Sequence, residues 1–309
     1  MKRLYLIGFL LLAVALELLT GEGFSLPSAL IFWKLRVPRM ATALLAGGML
    51  ALSGAQLQAL FRNPLADPHI MGVSGGAGLG AAIATLALGG TAGWLGGLTL
   101  AGAAFAGALL TGFLVVAIAA RVPSTGTLLL AGVMLGFILS AVSSILQYSA
   151  GEESLKLFYS WMAGSFSTTP VSGLGLMALA LVPGAALALG AWRELDLSLF
   201  GDAYATALGV STRGLRFRVM LGCALMTGAV TAFCGPIGFV GIVAPHLTRR
   251  FLGTAEHRAI LPWSMVNGGT LALLADVLAH LGATPLPVGS TLAIIGIPVI
   301  VIMLWRSGR

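Results

Sequence analysis

Residues 36–80 read RVPRMATALLAGGMLALSGAQLQALFRNPLADPHIMGVSGGAGLG, and this stretch decides the fold class. A basic pair, Arg36 and Arg39, leads into an apolar run rich in Ala, Leu and Gly, which ends at a turn around residues 62–68. The turn contains two prolines, and the residue before a proline avoids the helical conformation, so a helix must end here. The stretch therefore predicts two largely apolar helices joined by a short extended turn.

Three glycines, Gly72, Gly76 and Gly80, recur every four residues in the second of these helices. This spacing places them on one helix face, where small residues let two membrane helices approach closely. A single triplet of this kind is ordinary membrane packing, so it indicates helix contacts rather than a particular function.

The composition of the whole chain is that of a membrane protein. Of 309 residues, 58% are hydrophobic and 9% are charged, with a mean hydropathy of +1.00, whereas a soluble domain carries about 25% charged residues. A helix needs ~20 apolar residues to cross the hydrocarbon layer, and irregular backbone cannot face lipid. We therefore expect an all-α membrane protein with one transmembrane domain, residues 1–309, and about ten transmembrane helices.

Apolar runs between turn and charge signals locate the expected spans. They lie near residues 4–20, 38–60, 70–89, 92–120, 126–148, 171–192, 215–234, 236–252, 261–281 and 288–305. The first run resembles a signal peptide but has no clear small-residue cleavage site after it, so we interpret it as an uncleaved span.

The basic residues are distributed unevenly between the two sides of these spans. If the N-terminus is cytoplasmic, thirteen of the seventeen Lys and Arg residues fall on the inner side, as the positive-inside rule expects. Both termini are then cytoplasmic. The net charge of +7 comes from scattered residues without interleaved aromatics, so a nucleic-acid partner is not expected.

Two stretches are too polar or too short to cross the membrane. Residues 151–165 are predicted to form an amphipathic segment on the outer, periplasmic surface. Residues 196–209 are predicted to form two short helical pieces on the inner side, broken at Gly201 and closed at Gly209. A folded inner loop of this kind suits docking to a partner.

At residues 36–80 the chain resembles the FecCD family of ABC-importer permeases, whose members move cobalamin, ferric siderophores or haem. The resemblance continues over nearly the whole chain, through LLLAG at 128–132, WMAG at 161–164, GPIGFVGIVAPH at 235–246, Asp276 and LPVG at 286–289. It implies a multi-pass permease of the bacterial inner (plasma) membrane, in contact with lipid, which works as a homodimer with ten helices per subunit. The implied partners are two cytoplasmic ABC ATPases, a periplasmic or lipid-anchored binding protein and a metal-chelate substrate.

The resemblance also implies a docking site for the binding protein at Arg36 and Arg39, where charge would steer the encounter. His280 is the third residue that the resemblance implies for docking, at a point where other members carry an arginine. The alternative for the two arginines is that they anchor a helix end. His280 could instead face an entering chelate, or be an ordinary helix-end residue.

On the inner side, the resemblance implies two further sites. The ATPase-coupling residues are Leu199, Phe200, Gly201, Asp202, Ala203, Leu208 and Gly209, and the cytoplasmic gate residues are Asn63, Leu65, Thr125 and Gly126. Asp202 is expected to cap the second short helix, because a side-chain oxygen can accept from free amides at a helix N-terminus. The alternative for the coupling residues is an inert amphipathic linker. The alternative for the gate residues is that they form two ordinary turns.

The sequence does not predict an enzyme. None of its three lysines follows glycines in a nucleotide-binding pattern, so ATP and Mg would be bound by the partner ATPase and no cofactor is expected in this chain. The four histidines lie in different segments, and no metal site is expected. Cys223 and Cys234 lie in one predicted helix, too far apart to form a disulfide.

Two other classes of membrane protein compete with this interpretation. A gradient-driven secondary transporter would need membrane acids as carriers, and an integral-membrane enzyme would need clustered acids or a nucleophile and base. Glu17 and Asp276 are the notable acids in apolar segments. Both are expected near span ends, where water or a partner reaches them, and in structural roles.

Overall fold

The computed structural model describes residues 2–21, 23–24, 28–87, 94–122, 124–282 and 284–307. These residues are almost entirely helical, apart from an antiparallel pair of two-residue strands, β1 (Thr20–Gly21) and β2 (Gly23–Phe24). The predicted all-α bundle is confirmed. The expected junction of the third and fourth spans at 88–93, and Arg309, lie outside the described residues.

Each predicted span overlaps a described helix. In chain order, with the non-spanning helices included, the helices are α1 (Lys2–Leu19), α2 (Ala29–Phe61), α3 (Val73–Ala82, followed by a π turn, Ile83–Ala87), α4 (Trp94–Ala119), α5 (Thr125–Tyr148), α6 (Glu152–Met162), α7 (Val171–Gly190), α8 (Trp192–Ser198), α9 (Asp202–Ala207), α10 (Thr212–Cys234), α11 (Val240–Leu252), α12 (His257–Ala279) and α13 (Val288–Ser307).

The described helices differ in length, and not all of them are long enough to span the membrane. Among the described residues, six helices are long and apolar enough to cross a membrane. The helix predicted at 236–252 begins only at Val240, because Gly235 and Phe239 adopt positive φ angles of 75° and 70°. Its 13 residues extend about 20 Å at ~1.5 Å per residue, which is short of the ~30 Å hydrocarbon layer.

Helix α2 lies at the centre of the bundle, where glycines bring backbones into contact. A Cβ atom added at Gly47 would lie 2.2 Å from the carbonyl oxygen of Gly268 in α12, and one at Gly54 would lie 2.0 Å from that of Gly241 in α11. Side chains at these positions would push the helices apart. Small residues therefore set the spacing of α2, α11 and α12.

The glycine triplet in α3 divides between two partners. Gly76 and Gly80 face α4, where added Cβ atoms would lie 2.5 Å from the Gly107 carbonyl oxygen and 2.1 Å from that of Ala103. Gly72 instead precedes the helix at a φ of 79° and faces Gly132 of α5. The prediction of close packing is correct, but a single shared face holds only for the second and third glycines.

The two predicted non-spanning segments are both helical. In α6, Glu152 and Glu153 are exposed at the N-terminal end while Phe158 is buried against the bundle. Helices α8 and α9 are separated at Gly201, with a φ of 109°, and the segment closes at Gly209, with a φ of 85°. We call residues 192–209 the inner segment, after the side of the membrane predicted for it.

Candidate functional site

Arg39 lies inside the bundle, between two carboxylates from different helices. Its Nε donates to Glu17 Oε1 of α1 at 2.6 Å and lies 3.0 Å from Asp276 Oδ2 of α12. Its Nη2 also donates to the carbonyl oxygen of Thr20 at 2.9 Å. We call Glu17, Arg39 and Asp276 the buried ion cluster, and it ties α1, α2 and α12 together at one end of the bundle.

The cluster corrects one expectation from the sequence. Glu17 and Asp276 are 0% exposed, so water does not reach them within one chain. They lie near the ends of their helices as expected, but α2 covers them. The predicted structural role fits this burial, since a charge away from water needs a partner of opposite charge.

Arg36 also faces the protein. The residue is 6% exposed, and its Nη1 donates to the carbonyl oxygen of Leu18 at 2.7 Å. Both predicted docking arginines therefore bind groups near the end of α1, as the helix-anchoring alternative expects. Direct contact of either arginine with a binding protein stays a prediction.

His280 directly follows the last residue of α12 and is its C-cap. Its Nδ1 donates to the carbonyl oxygen of Asp276 at 2.9 Å, and its Nε2 lies 3.4 Å from the Ser167 hydroxyl. Burial is the main influence on this imidazole and lowers its pKa below the ordinary value. A largely neutral side chain at pH 7 would make a weak ionic contact, so His280 does not replace an arginine in charge.

A groove opens between α3, α5 and α6 beside this end of the bundle. It has a volume of about 520 Å³, and its walls include Gly75, Gly136, Ser140, Ser144 and Gln147. The small residues leave space, and the hydroxyl and amide groups provide polar contacts on an otherwise apolar helix. Sequence reasoning did not identify these wall residues, although serines spaced four apart in an apolar span were the available signal.

The inner segment presents apolar side chains to its surroundings. Phe200 is 74% exposed, and Leu199, Tyr204 and Leu208 are also exposed. Ala203 and Gly209 are exposed beside them, and Gly201 and Asp202 are partly exposed. The residues predicted for coupling are therefore all at least partly exposed, and their contact with an ATPase stays a prediction.

The predicted cap at Asp202 is wrong. Gly201 occupies the cap position and has no side chain to accept a hydrogen bond, and Asp202 is the first helical residue. The Asp202 carboxylate instead pairs with Arg216 of α10 at 3.2 Å. Gly201 has a φ of 109° directly before Asp202, and the acid contacts α10 rather than the amides of its own helix.

The two turns predicted to form the gate lie beside the inner segment. Asn63 Oδ1 accepts from the Leu65 amide at 2.9 Å and fixes the first turn. The second turn precedes α5, where Ser124 accepts from the Thr127 amide at 3.1 Å, Thr125 is buried and Gly126 is exposed. Arg216 donates to the carbonyl oxygen of Val122 in this turn at 2.9 Å. Closure of a gate by these residues stays a prediction.

The described residues contain no group of three or more His, Cys, Asp or Glu side chains placed to hold a metal ion. Cys223 and Cys234 of α10 are buried free thiols, not joined in a disulfide. These observations assign no metal chemistry to the part of the chain that the structure describes.

Comparison with known proteins decides the family. A sequence profile of the FecCD transport family matches residues 6–306. The chain belongs to the FecCD transport family. The predicted resemblance is thereby confirmed over nearly the whole chain.

Individual FecCD relatives agree in length and fold. The chain is 38% identical over 97% of its length to the vitamin B12 import system permease protein BtuC of Citrobacter koseri, of which 92% is covered. It is 40% identical over 93% of its length to BtuC of Klebsiella pneumoniae, of which 86% is covered. A solved structure described as an inward-facing conformation of a metal-chelate type ABC transporter matches with a TM-score of 0.87 and 31% identity, over 99% of this chain and 98% of the other.

This FecCD chain is thus a transmembrane permease subunit of an ABC importer, as the sequence predicted. Its fold, family and general function are established at this level.

Proposed function

We propose that this permease carries a metal chelate inward, with cobalamin as the first candidate, as a homodimer driven by two copies of a separate cytoplasmic ATPase. The observation that carries the proposal is the identity of 38–40% over 93–97% of the chain with two permeases named for vitamin B12 import. The absence of a nucleotide-binding pattern in the sequence supports the division of labour.

The groove supports a path shared by two copies. Pockets of about 300–1,000 Å³ hold drug-sized ligands, so a groove of about 520 Å³ would hold only part of a chelate as large as a corrin. Helix α5 also exposes large apolar side chains beside the groove, including Phe137 and Ile138. Two copies that face each other across α5 would enclose a wider path between small and polar residues.

The inner segment supports docking of the ATPase. An exposed apolar patch with polar neighbours marks a protein contact more often than a free surface. Phe200 and Leu208 would enter a groove of the ATPase, while the pair Asp202–Arg216 would hold α9 against α10. A short rigid helix can then transmit a push from one packed unit to another.

At the opposite end, the buried ion cluster supports an indirect role in docking. Arg39 would fix the ends of α1, α2 and α12 relative to each other rather than reach the binding protein itself. Among the predicted outer cations, Lys34 and Lys156 are the exposed ones. They are the side chains of this group that could steer an acidic partner from a distance.

Uptake in the native bacterium tests the substrate. A deletion strain and a strain complemented with the wild-type chain should be supplied with radiolabelled cyanocobalamin, ferric siderophore or haemin in parallel. We expect the deletion to abolish cyanocobalamin uptake and leave the other two unchanged. Loss of iron or haemin uptake with normal cyanocobalamin uptake would show that cobalamin is the wrong chelate.

The energy source is tested in the same strain. Deletion of the gene for the associated ATPase should abolish uptake, and a protonophore added for a few minutes should leave it largely intact while ATP is maintained. The opposite pattern would favour a gradient-driven secondary transporter.

A further inference from the structure

Asp196 of the inner segment caps a helix that lies elsewhere in the sequence. Its Oδ1 accepts from the backbone amide of His257 at 2.9 Å and from the His257 Nδ1 at 2.6 Å. A carboxylate can only accept hydrogen bonds here, so Nδ1 carries the hydrogen. His257 is 1% exposed and opens α12, and Glu256, the residue before it, makes no capping bond with its own side chain.

The other acids of the inner segment bind a different helix. Glu194 pairs with Arg218, and Asp202 pairs with Arg216, and both arginines belong to α10. Among the described residues, no hydrogen bond or ion pair other than those of Asp196 joins the inner segment to α12; Arg258 adds only a cation–π contact with Trp192, at 5.9 Å. The inner segment is thus tied to two separate helices by different residues.

Helix α12 leads from this tie to the far end of the bundle. Its 23 residues extend about 35 Å at ~1.5 Å per residue. The far end carries Asp276 in the buried ion cluster and His280 just beyond it. Between these ends, Gly268 lies in backbone contact with Gly47 of α2. Close packing of this kind moves as a unit rather than deforming gradually.

We propose that Asp196 is a positioning residue for transport: by holding His257 it makes α12 follow the inner segment, so that movement of the ATPase reaches the end of the bundle that carries the buried ion cluster. The inference rests on the proposed docking of the ATPase at the inner segment. Asp196 itself faces α12 and does not need to touch the ATPase.

The two kinds of tie differ in strength, and this difference provides a control. The side chains of Glu194 and Arg218 are 31% and 33% exposed, and exposed ion pairs contribute only about 0–1 kcal/mol. The Asp196 bonds hold an almost fully buried histidine and the free amide at the start of α12. Removing that acceptor leaves buried donors without a partner, which is the more costly change.

The test uses the complete importer, with its ATPase and binding protein, in proteoliposomes supplied with cyanocobalamin. Asp196→Ala should assemble and hydrolyse ATP, but the cyanocobalamin taken up per ATP hydrolysed should fall about tenfold, a typical size for coupling between sites. Asp196→Asn should restore coupling, because its amide oxygen accepts the same two hydrogen bonds. Glu194→Ala, which removes a carboxylate from the same segment, should behave as wild type.

Wild-type coupling in Asp196→Ala would overturn the proposal, and so would an equal loss of coupling in Glu194→Ala. If Asp196→Ala does not assemble, hydrogen exchange on the wild-type importer decides: with ATP, the inner segment and the first turn of α12 should change protection together. A change in protection confined to the inner segment would show that α12 does not follow it and would overturn the proposal. A wild-type importer without ATP-driven uptake would instead refute the proposed function.

Discussion

Arg39 illustrates how a single charged residue in an apolar segment acquires its role. Its guanidinium lies between Glu17 and Asp276, both fully buried. A charge within a membrane protein is expensive unless it is paired, so unpaired charges are rare there. The three residues therefore have to be interpreted as one group, because the burial of each charge depends on the other two.

Arg39→Met should destabilise the isolated permease, because it leaves two acids buried without their cation. Breaking a buried pair by removal of one partner costs about 3–5 kcal/mol, which thermal unfolding in detergent should register as a clear drop in midpoint. Lys34→Met is the matched control: the side chain is exposed, and its loss should leave the midpoint unchanged. If Arg39→Met is as stable as wild type but no longer binds the binding protein, Arg39 is a direct docking residue.

The inner segment shows how the exposed side chains of an element can indicate its role. Helices α8 and α9 are short and leave Phe200 and Tyr204 exposed with their rings 5.4 Å apart. An isolated helix of this length is not stable in water. The ion pairs of the inner segment with α10 and the Asp196 hydrogen bonds to α12 hold the two short helices in place. The exposed rings therefore have a fixed position on the bundle.

Phe200→Ala should reduce co-purification of the ATPase without loss of folded permease, because the ring contributes to no internal core. Truncation of an aromatic anchor at a protein interface commonly weakens the binding free energy by more than about 1 kcal/mol. Phe251→Ala is the control, since Phe251 is an exposed aromatic in the last turn of α11, outside the inner segment. Equal retention of the ATPase by the two variants would argue that the inner segment is a linker.

At the scale of the molecule, two kinds of surface face the membrane region. Helix α7 presents large apolar side chains such as Leu179 and Val182, as a lipid-facing helix does. Helix α5 combines apolar side chains with the exposed hydroxyl groups of Ser140 and Ser144. The polar groups on α5 favour a water-filled path beside a second copy of the chain.

Ser140→Cys should react with a membrane-impermeant thiol reagent in the assembled importer, because the proposed path between two copies is filled with water. Leu179→Cys should stay unreacted in lipid, and background reaction should be low since Cys223 and Cys234 are both buried. Labelling is read by mass spectrometry of the intact chain. Equal protection of both introduced cysteines would place the Ser140 face of α5 in lipid or a closed interface.

Much of the fold was predictable because membrane helices obey local rules. Apolar length, turn residues and the break at Gly201 located the helices, and the string at 36–80 indicated the family. The start of α11 was placed too early, since apolar residues at 236–239 do not reveal the positive φ of Phe239. The direction in which Asp202 points was also missed, because its partner Arg216 lies in another helix.

The sequence by itself determined the membrane class, the approximate helix pattern, the FecCD family and the position of a broken inner loop, because hydrophobic length and glycine or proline placement act over a few neighbouring residues. Only the tertiary structure decided that Arg36 and Arg39 face inward and that Asp196 caps α12 from 61 positions away. Burial and pairing depend on residues that meet only after folding. An arginine in a given helix can serve either as an exposed docking group or as a buried internal contact. Which of the two it becomes depends on the residues that the neighbouring helices place beside it.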